Sequence, residues 1–412
     1  MRLVLAMTPH DKDYVDAYYG PPQWRSEVAA NPRPLEAIRA EADSLVAALG
    51  GLPAGAGNAG NRGRMPSRSL VERLGPTQVR RLYLAQQLGA LSARCGILLG
   101  GRLTFDAESR ALYGAVAPSV PDSTFERAIG RLHALLPGTG PLPERFDTFR
   151  KQFEIPKEKI DTLMTVAIRE CRERTRRHIA LPASERFTIE YVTGKSWGAY
   201  NWYKGDYRSV IQVNLDTPIY IHGPVGLACH EGYPGHHVYN VLHEEKLVRG
   251  RGWIEFTVYP LFTPESFIAE GSAELGVDIT FPGRDRLEFE KRVLYPLAGL
   301  DTTQAERYFE VRQVLRQLRY SGFQAARRYL DGRMSAAETA AWLCTHALLT
   351  PEEAEEGIQF MDQYRSYVVN YALGTDVLLR RLESRGAMPE GSEQSWREFV
   401  KIISSPSIVS AL

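Results

Sequence analysis

A mainly α protein is expected from this chain: apolar residues recur at helical spacing along most of it, helix-start signals are frequent, and strand-like alternation is confined to one stretch. Leu35, Ile38, Ala42, Leu45 and Leu49 mark one buried helix face, Leu84, Leu88, Leu91, Cys95 and Leu98 a second, and Val311, Leu315 and Leu318 a third. Thr263-Pro264-Glu265, Ser335 with Glu338, and Thr350-Pro351 with Glu353 each offer a capping hydroxyl, and prolines 264 and 351 suit a first helical turn. The exception lies between Phe187 and Leu215. There the runs from Phe187 to Val192 and from Tyr207 to Val213 alternate and are rich in β-branched and aromatic residues, which predicts a small antiparallel sheet.

Composition excludes the extremes. Hydrophobic residues make up 44% and charged residues 24% of the 412, ordinary globular usage that fits neither a disordered nor a fibrous chain. Lys and Arg number 50 against 49 Asp and Glu, a net charge of +1, so no bulk field exists to hold nucleic acid or an anionic membrane. The Arg-rich run from Arg169 to His178 is interleaved with glutamates and reads as a solvated helix face. No stretch reaches the roughly 18 apolar residues of a membrane span, and the apolar start Leu3 to Met7 is shorter than a signal-peptide core. Cys95, Cys171, Cys229 and Cys344 are dispersed, with no CxxC pair, which favours buried thiols. A cytoplasmic protein is therefore expected.

The chain reads as a single domain over 1–412, with a helical part (1–180), a sheet and metal-site part (181–290) and a second helical part (291–412). Within the first, Gly50 to Ser67 is glycine-rich without apolar periodicity and predicts a flexible loop; Leu136 to Pro143 is a turn-rich break.

Chemistry concentrates in Cys229-His230-Glu231-Gly232-Tyr233-Pro234-Gly235-His236-His237. A His-Glu pair on a helix is the first half of the zincin pattern, in which the histidine binds zinc and the glutamate acts as general base. The usual second histidine four residues on is replaced by Pro234. At about 100° per residue, His236 lies some 240° round an unbroken helix from His230, and His237 lies on nearly the same face but about 10 Å further along. Pro234 and Gly235 break that helix, so a local bulge is expected to bring His236 beside His230, leaving His237 towards the cleft or behind the ligands. A third ligand is expected from the helix that starts at Thr263: Glu270 and Glu274 share one face of an apolar stretch, where carboxylates are costly unless paired or metal-bound. Glu270 is the expected ligand. Glu274 and Asp278 are candidates to orient a ligand histidine through its other ring nitrogen. His133, His222, His243 and His346 lack such company and read as surface or core residues.

The run His230 to His237 resembles the metal motif of the bacterial family known as domain of unknown function 885, placed among the gluzincin-type zinc metallopeptidases. Asp11 to Pro21 is similar to that family's N-terminal signature, Glu270-Gly271 to its downstream glutamate motif and Tyr371-Ala372-Leu373-Gly374 to its C-terminal Tyr-x-x-Gly, so the likeness extends over most of the chain. Ser272, Ala273, Glu274 and Leu275 depart from the family's usual Trp-Ala and Tyr, and Arg365 and Tyr367 stand where Pro and Gln are expected. The resemblance implies a helical gluzincin-like body with the sheet beside the active-site helix, and it carries catalytic class further than specificity.

The expected activity is zinc-dependent hydrolysis of a peptide or small amide, with zinc on His230, His236 and Glu270 and Glu231 as general base. Tyr371 is the expected donor to the oxyanion, with Tyr367 as its substitute. The strand from Tyr207 to Val213 could take an extended peptide by edge pairing, and Arg365 a substrate carboxylate, as in a carboxypeptidase. Alternatives are a hydrolase of a non-peptide amide or lactam, and a helical binding protein with structural zinc or none. No nucleic-acid or membrane partner is expected.

Overall fold

The computed structural model describes residues 1–50, 74–195, 197–387, 391–406 and 408–409; the expected flexible loop lies, but for Gly50, outside them. The helical stripes become helices at the expected places: α1 (Leu35–Ala48), α2 (Pro76–Leu98) and, after α3 (Ile160–Arg176), a later helix from Ala305 to Leu315 that tightens into a 3-10 turn at Arg316–Leu318. Ser335 with Glu338 and Thr350 with Glu353 form reciprocal capping boxes, as the spacing predicts. Thr263 does not cap: its hydroxyl donates back to the Pro260 carbonyl at 2.9 Å, which ties the helix start to the strand before it. The break from Leu136 to Pro143 is a turn between Asp122–Leu135 and Leu142–Arg150.

The sheet is small but mixed. Strand β1 (Val15–Tyr18) lies apart; β2 (Arg186–Val192), β3 (Ala199–Gly205) and β4 (Arg208–Asn214) form three strands in the order β2-β4-β3. The two runs recognised in the sequence, β2 and β4, pair in parallel, and only β3 and β4 are antiparallel. The cause is the intervening strand β3, which reverses the chain through Asp206 and Tyr207, both at positive φ, the geometry of a tight two-residue hairpin. Tyr207 is held there by its own N–H on Glu244 at 3.2 Å and by its hydroxyl on Glu245. Strand β5 (Val258–Pro260) pairs antiparallel with β1, so the N-terminal segment is stitched to the chain just ahead of the glutamate helix.

Four further helices position the site. α4 (Gly223–Leu227) continues as a π turn over Ala228–Gly232, and α5 (His236–His243) follows the Pro-Gly break. α6 (Pro264–Thr280) is buried at every position except Glu274 and Asp278, the mark of a central helix. It crosses α7 (Ala372–Glu383) where Gly271 meets Gly374: a Cβ on Gly271 would lie 2.4 Å from the Gly374 carbonyl carbon. One apolar core reaches from Leu3 to Val409 and takes in Phe267 and Ile268, both fully buried.

Because backbone meets backbone at the crossing, no side-chain adjustment can make room there. Gly271→Ala is expected to lower the urea midpoint, at a cost of about 1–3 kcal/mol despite the better helix propensity of alanine.

Candidate metal centre

The bulge expected from Pro234-Gly235 is present. The Tyr233 N–H bonds the Ala228 carbonyl at 2.9 Å, closing the π turn, and Tyr233 and Pro234, joined by a cis peptide bond, leave the helix. Gly235 then passes so close to the first segment that a Cβ would lie 1.8 Å from the His230 carbonyl oxygen. Only glycine fits there, and the close passage folds the start of α5 back on to the π turn.

His230 and His236 consequently face each other. Their Nε2 atoms are 3.2 Å apart, and Glu270 Oε2 lies 3.4 Å from the first and 3.6 Å from the second. Tetrahedral zinc with bonds of 2.0–2.1 Å needs ligand atoms about 3.3 Å apart, so the three edges fit one face of such a tetrahedron. Glu270 Oε2 is buried and finds no hydrogen-bond donor, while Oε1 accepts from the Tyr367 hydroxyl at 2.8 Å. Among the described residues these are the only side chains grouped tightly enough to hold a metal ion. The donor set of two imidazoles and one carboxylate suits zinc at a site with an open fourth position.

Glu274 is the orienting carboxylate. Its Oε1 lies 3.3 Å from His230 Nδ1, which fixes the ring so that Nε2 faces Glu270. Asp278 does not share this role; it pairs with Arg316 at 2.5 Å, a turn too far along α6 to reach either ring. His237 is fully buried behind the ligands, its Nε2 on Glu185 at 3.1 Å and its Nδ1 accepting from Ser209 at 2.9 Å. Glu185 also accepts from Tyr233 at 2.6 Å and pairs with Arg172 at 2.6 Å, so one buried carboxylate ties down both sides of the Pro-Gly break. Nothing in its sequence context marks Glu185.

Glu231 is almost wholly buried, and its carbonyl accepts from Asn201 of β3 at 2.7 Å. Burial pushes its carboxyl above the usual range, opposed by His230 and His236 and reinforced by Glu270. Burial opposes ionisation of Glu270 as well, yet His236 and His230 hold it well below that range. Two neighbouring carboxyls are thereby driven apart, one towards proton affinity and one towards permanent charge. His230 is pushed up: burial works against its charge, and the carboxylates of Glu270 and Glu274, 3.4 and 3.3 Å from its two ring nitrogens, outweigh that.

These groups line a cavity of about 1120 Å³. Tyr371 lines it with its hydroxyl in no hydrogen bond among the described residues, whereas Tyr367 is committed to Glu270 and is no substitute donor. Strand β4 is flanked on both sides, so it cannot take a peptide as the sequence suggested; the edge strand on the cavity is β3, through Ala199, Tyr200 and Asn201. Arg365 lies off the cavity with its Nε on Glu108 at 2.7 Å, which removes it as a carboxylate holder. His222, read as an ordinary histidine, lines the cavity instead. So does Asp16 of β1, inside the N-terminal signature; its Oδ1 is buried without a partner, and burial raises it to about 7, with Glu270 and Glu231 adding to the rise against His236.

No protein-family model and no curated protein matches the chain. Two solved structures do. One, described as a "putative lipoprotein" from Colwellia psychrerythraea, is 13% identical with a TM-score of 0.50, covering 94% of this chain and 71% of that one. The other, a "putative lipoprotein of unknown function" from Shewanella oneidensis, is 13% identical with a TM-score of 0.46, covering 95% of this chain and 75% of that one. The first likeness speaks to the fold alone. Among the described residues no helix is long and apolar enough to cross a membrane.

Two outcomes are expected. Glu274→Gln lowers zinc affinity by about 10–100-fold in a chelator competition, because the orienting acceptor on His230 is lost. Asp16 has a native pKa above its unfolded value, so stability is lost as pH rises from about 4 to about 7. In the metal-free protein Asp16→Asn is therefore expected to raise unfolding stability at pH 8 by on the order of 1–3 kcal/mol and to leave it unchanged at pH 4.

Proposed function

We propose that the protein is a zinc-dependent hydrolase of peptide or small amide bonds, akin to the domain of unknown function 885 family and the gluzincin peptidases. The observation that carries this reading is the triangle of His230 Nε2, His236 Nε2 and Glu270 Oε2, with edges of 3.2, 3.4 and 3.6 Å, beside a buried glutamate of raised proton affinity. His230, His236 and Glu270 would hold the metal. Bound zinc supplies a Lewis acid and brings a water pKa down to about 7.

The remaining work belongs to side chains. Glu231, adjacent in sequence to the ligand His230, takes the proton from the attacking water on its carboxylate and passes it to the leaving amine. Desolvation favours that acceptance. Tyr371 offers its hydroxyl to the substrate carbonyl oxygen as negative charge develops there. The edge of β3 at Ala199 to Asn201 gives an extended substrate backbone groups to pair with, and the Asn201 bond to the Glu231 carbonyl fixes that edge relative to the base.

Zinc-loaded protein is expected to hold one ion per chain by metal analysis, and His236→Ala to lose it while His237→Gln keeps it. Glu231→Gln is expected to retain zinc and to lower turnover of a fluorogenic peptide or amide by about 10²–10⁴-fold. Undiminished turnover in that variant would remove Glu231 as the base.

A further inference from the structure

The cleft continues beyond the ligands. From His230 the cavity wall runs back along α4 through Leu227, Gly226 and Gly223 to His222, about 12 Å of helix. At that end it is basic, with Arg150, Arg286 and Arg312 in its wall, while Arg316 lines the cavity nearer Glu274. Three are committed. Arg150 pairs with Glu353 at 2.8 Å and Asp147 at 3.0 Å, Arg286 with Glu290 at 2.8 Å, and Arg316 with Asp278. Arg312 has no carboxylate partner among the described residues.

The surroundings of Arg312 oppose its charge more than they support it. Burial lowers it to about 10 and Arg286 adds to the effect, although Glu290 opposes. Nearby His222 is itself pushed well below its ordinary value by burial, then by Arg312 and Arg286, so it stays uncharged; its Nδ1 meets the Tyr308 hydroxyl at 2.9 Å. The Arg312 guanidinium carries five N–H donors and no acceptor, none of them bonded among the described residues, and it is half-buried in the cavity wall, open to an arriving anion. Planar, bidentate recognition makes a carboxylate the natural occupant.

We propose that Arg312, with His222 and Tyr308 beside it, forms an anion subsite that takes a carboxylate of the substrate at the end of the cleft away from His230. The subsite rests on the hydrolase reading only for its tie to a cleaved amide; anion capture by Arg312 stands without it. Specificity is then set by a charge carried at the far end of the cleft from the bond that breaks.

The test compares benzoyl-Gly-Phe with its C-terminal amide by equilibrium titration into the full chain, metal-free and zinc-loaded. In both forms the acid is expected to bind at least about tenfold more tightly than the amide, Arg312→Met to abolish that preference without weakening the amide, and Arg312→Lys to keep part of it. Arg312→Met is expected to melt no lower than the parent, since it removes a charge facing Arg286; if it does, Arg312→Gln provides the same comparison. Equal binding of acid and amide to the parent, failure of both to bind, or a preference that survives in Arg312→Met and Arg312→Gln would each overturn the proposal. A chain that binds no zinc yet prefers the acid would refute the hydrolase reading and leave the subsite standing.

Discussion

Everything around the site follows from one buried anion. Glu270 sits on a helix sealed from water over most of its surface, and one of its oxygens meets no hydrogen-bond donor. An ionised carboxylate there is costly in isolation, so positive charge has to be brought to it. The two imidazoles do this, and they come from points in the chain that an unbroken helix would set on different faces. The π turn, the departure at Tyr233 and Pro234, and the glycine pressed against the His230 carbonyl are the means by which the backbone delivers both rings to one oxygen. Glu185 then secures the result from behind, through Tyr233, His237 and Arg172.

The sequence segments flanking this centre are parts of the same contact. Gly271 follows Glu270 and Gly374 lies three residues after Tyr371, and the two glycines touch backbone to backbone. Glu270-Gly271 and the segment from Tyr371 to Gly374 are thus two sides of one helix crossing, whose closeness sets how far the tyrosine hydroxyl stands from the carboxylates. The N-terminal signature enters by another route. Strand β1 pairs with β5, which leads straight into the glutamate helix, and so carries Asp16 to the cavity.

What the sequence made legible was local. Stripes of period 3.6 gave the helices, Ser335 and Thr350 gave their caps, and the spacing of Pro234 and Gly235 between histidines required a break in the helix. Those signals are written in neighbouring residues. The sheet order was not, because β3 carries Asn201 and Lys204 among its aromatics and reads as a connector, yet its presence turns the β2–β4 pairing parallel. Asp16, Glu185 and Arg312 were missed for a related reason: each is a single charged residue whose meaning comes from partners remote in the chain, and no spacing rule ties them. Arg365 shows the converse error, since a plausible position relative to Tyr371 says nothing of Glu108, which claims it.

The two ends of the cleft differ in charge although the chain carries a net charge of only +1. Glu231, Glu270 and Glu274 gather beside His230, while at the other end Arg150 and Arg286 are paired and the contrast rests on Arg312. The break after Gly232 has a consequence of a different kind. Two extra residues separate the histidines along the chain but not in space, so the insertion is silent in three dimensions while it shifts every linear register. A search pattern that counts residues between histidines will pass over this pair, whereas one that measures the distance between ring nitrogens will find it.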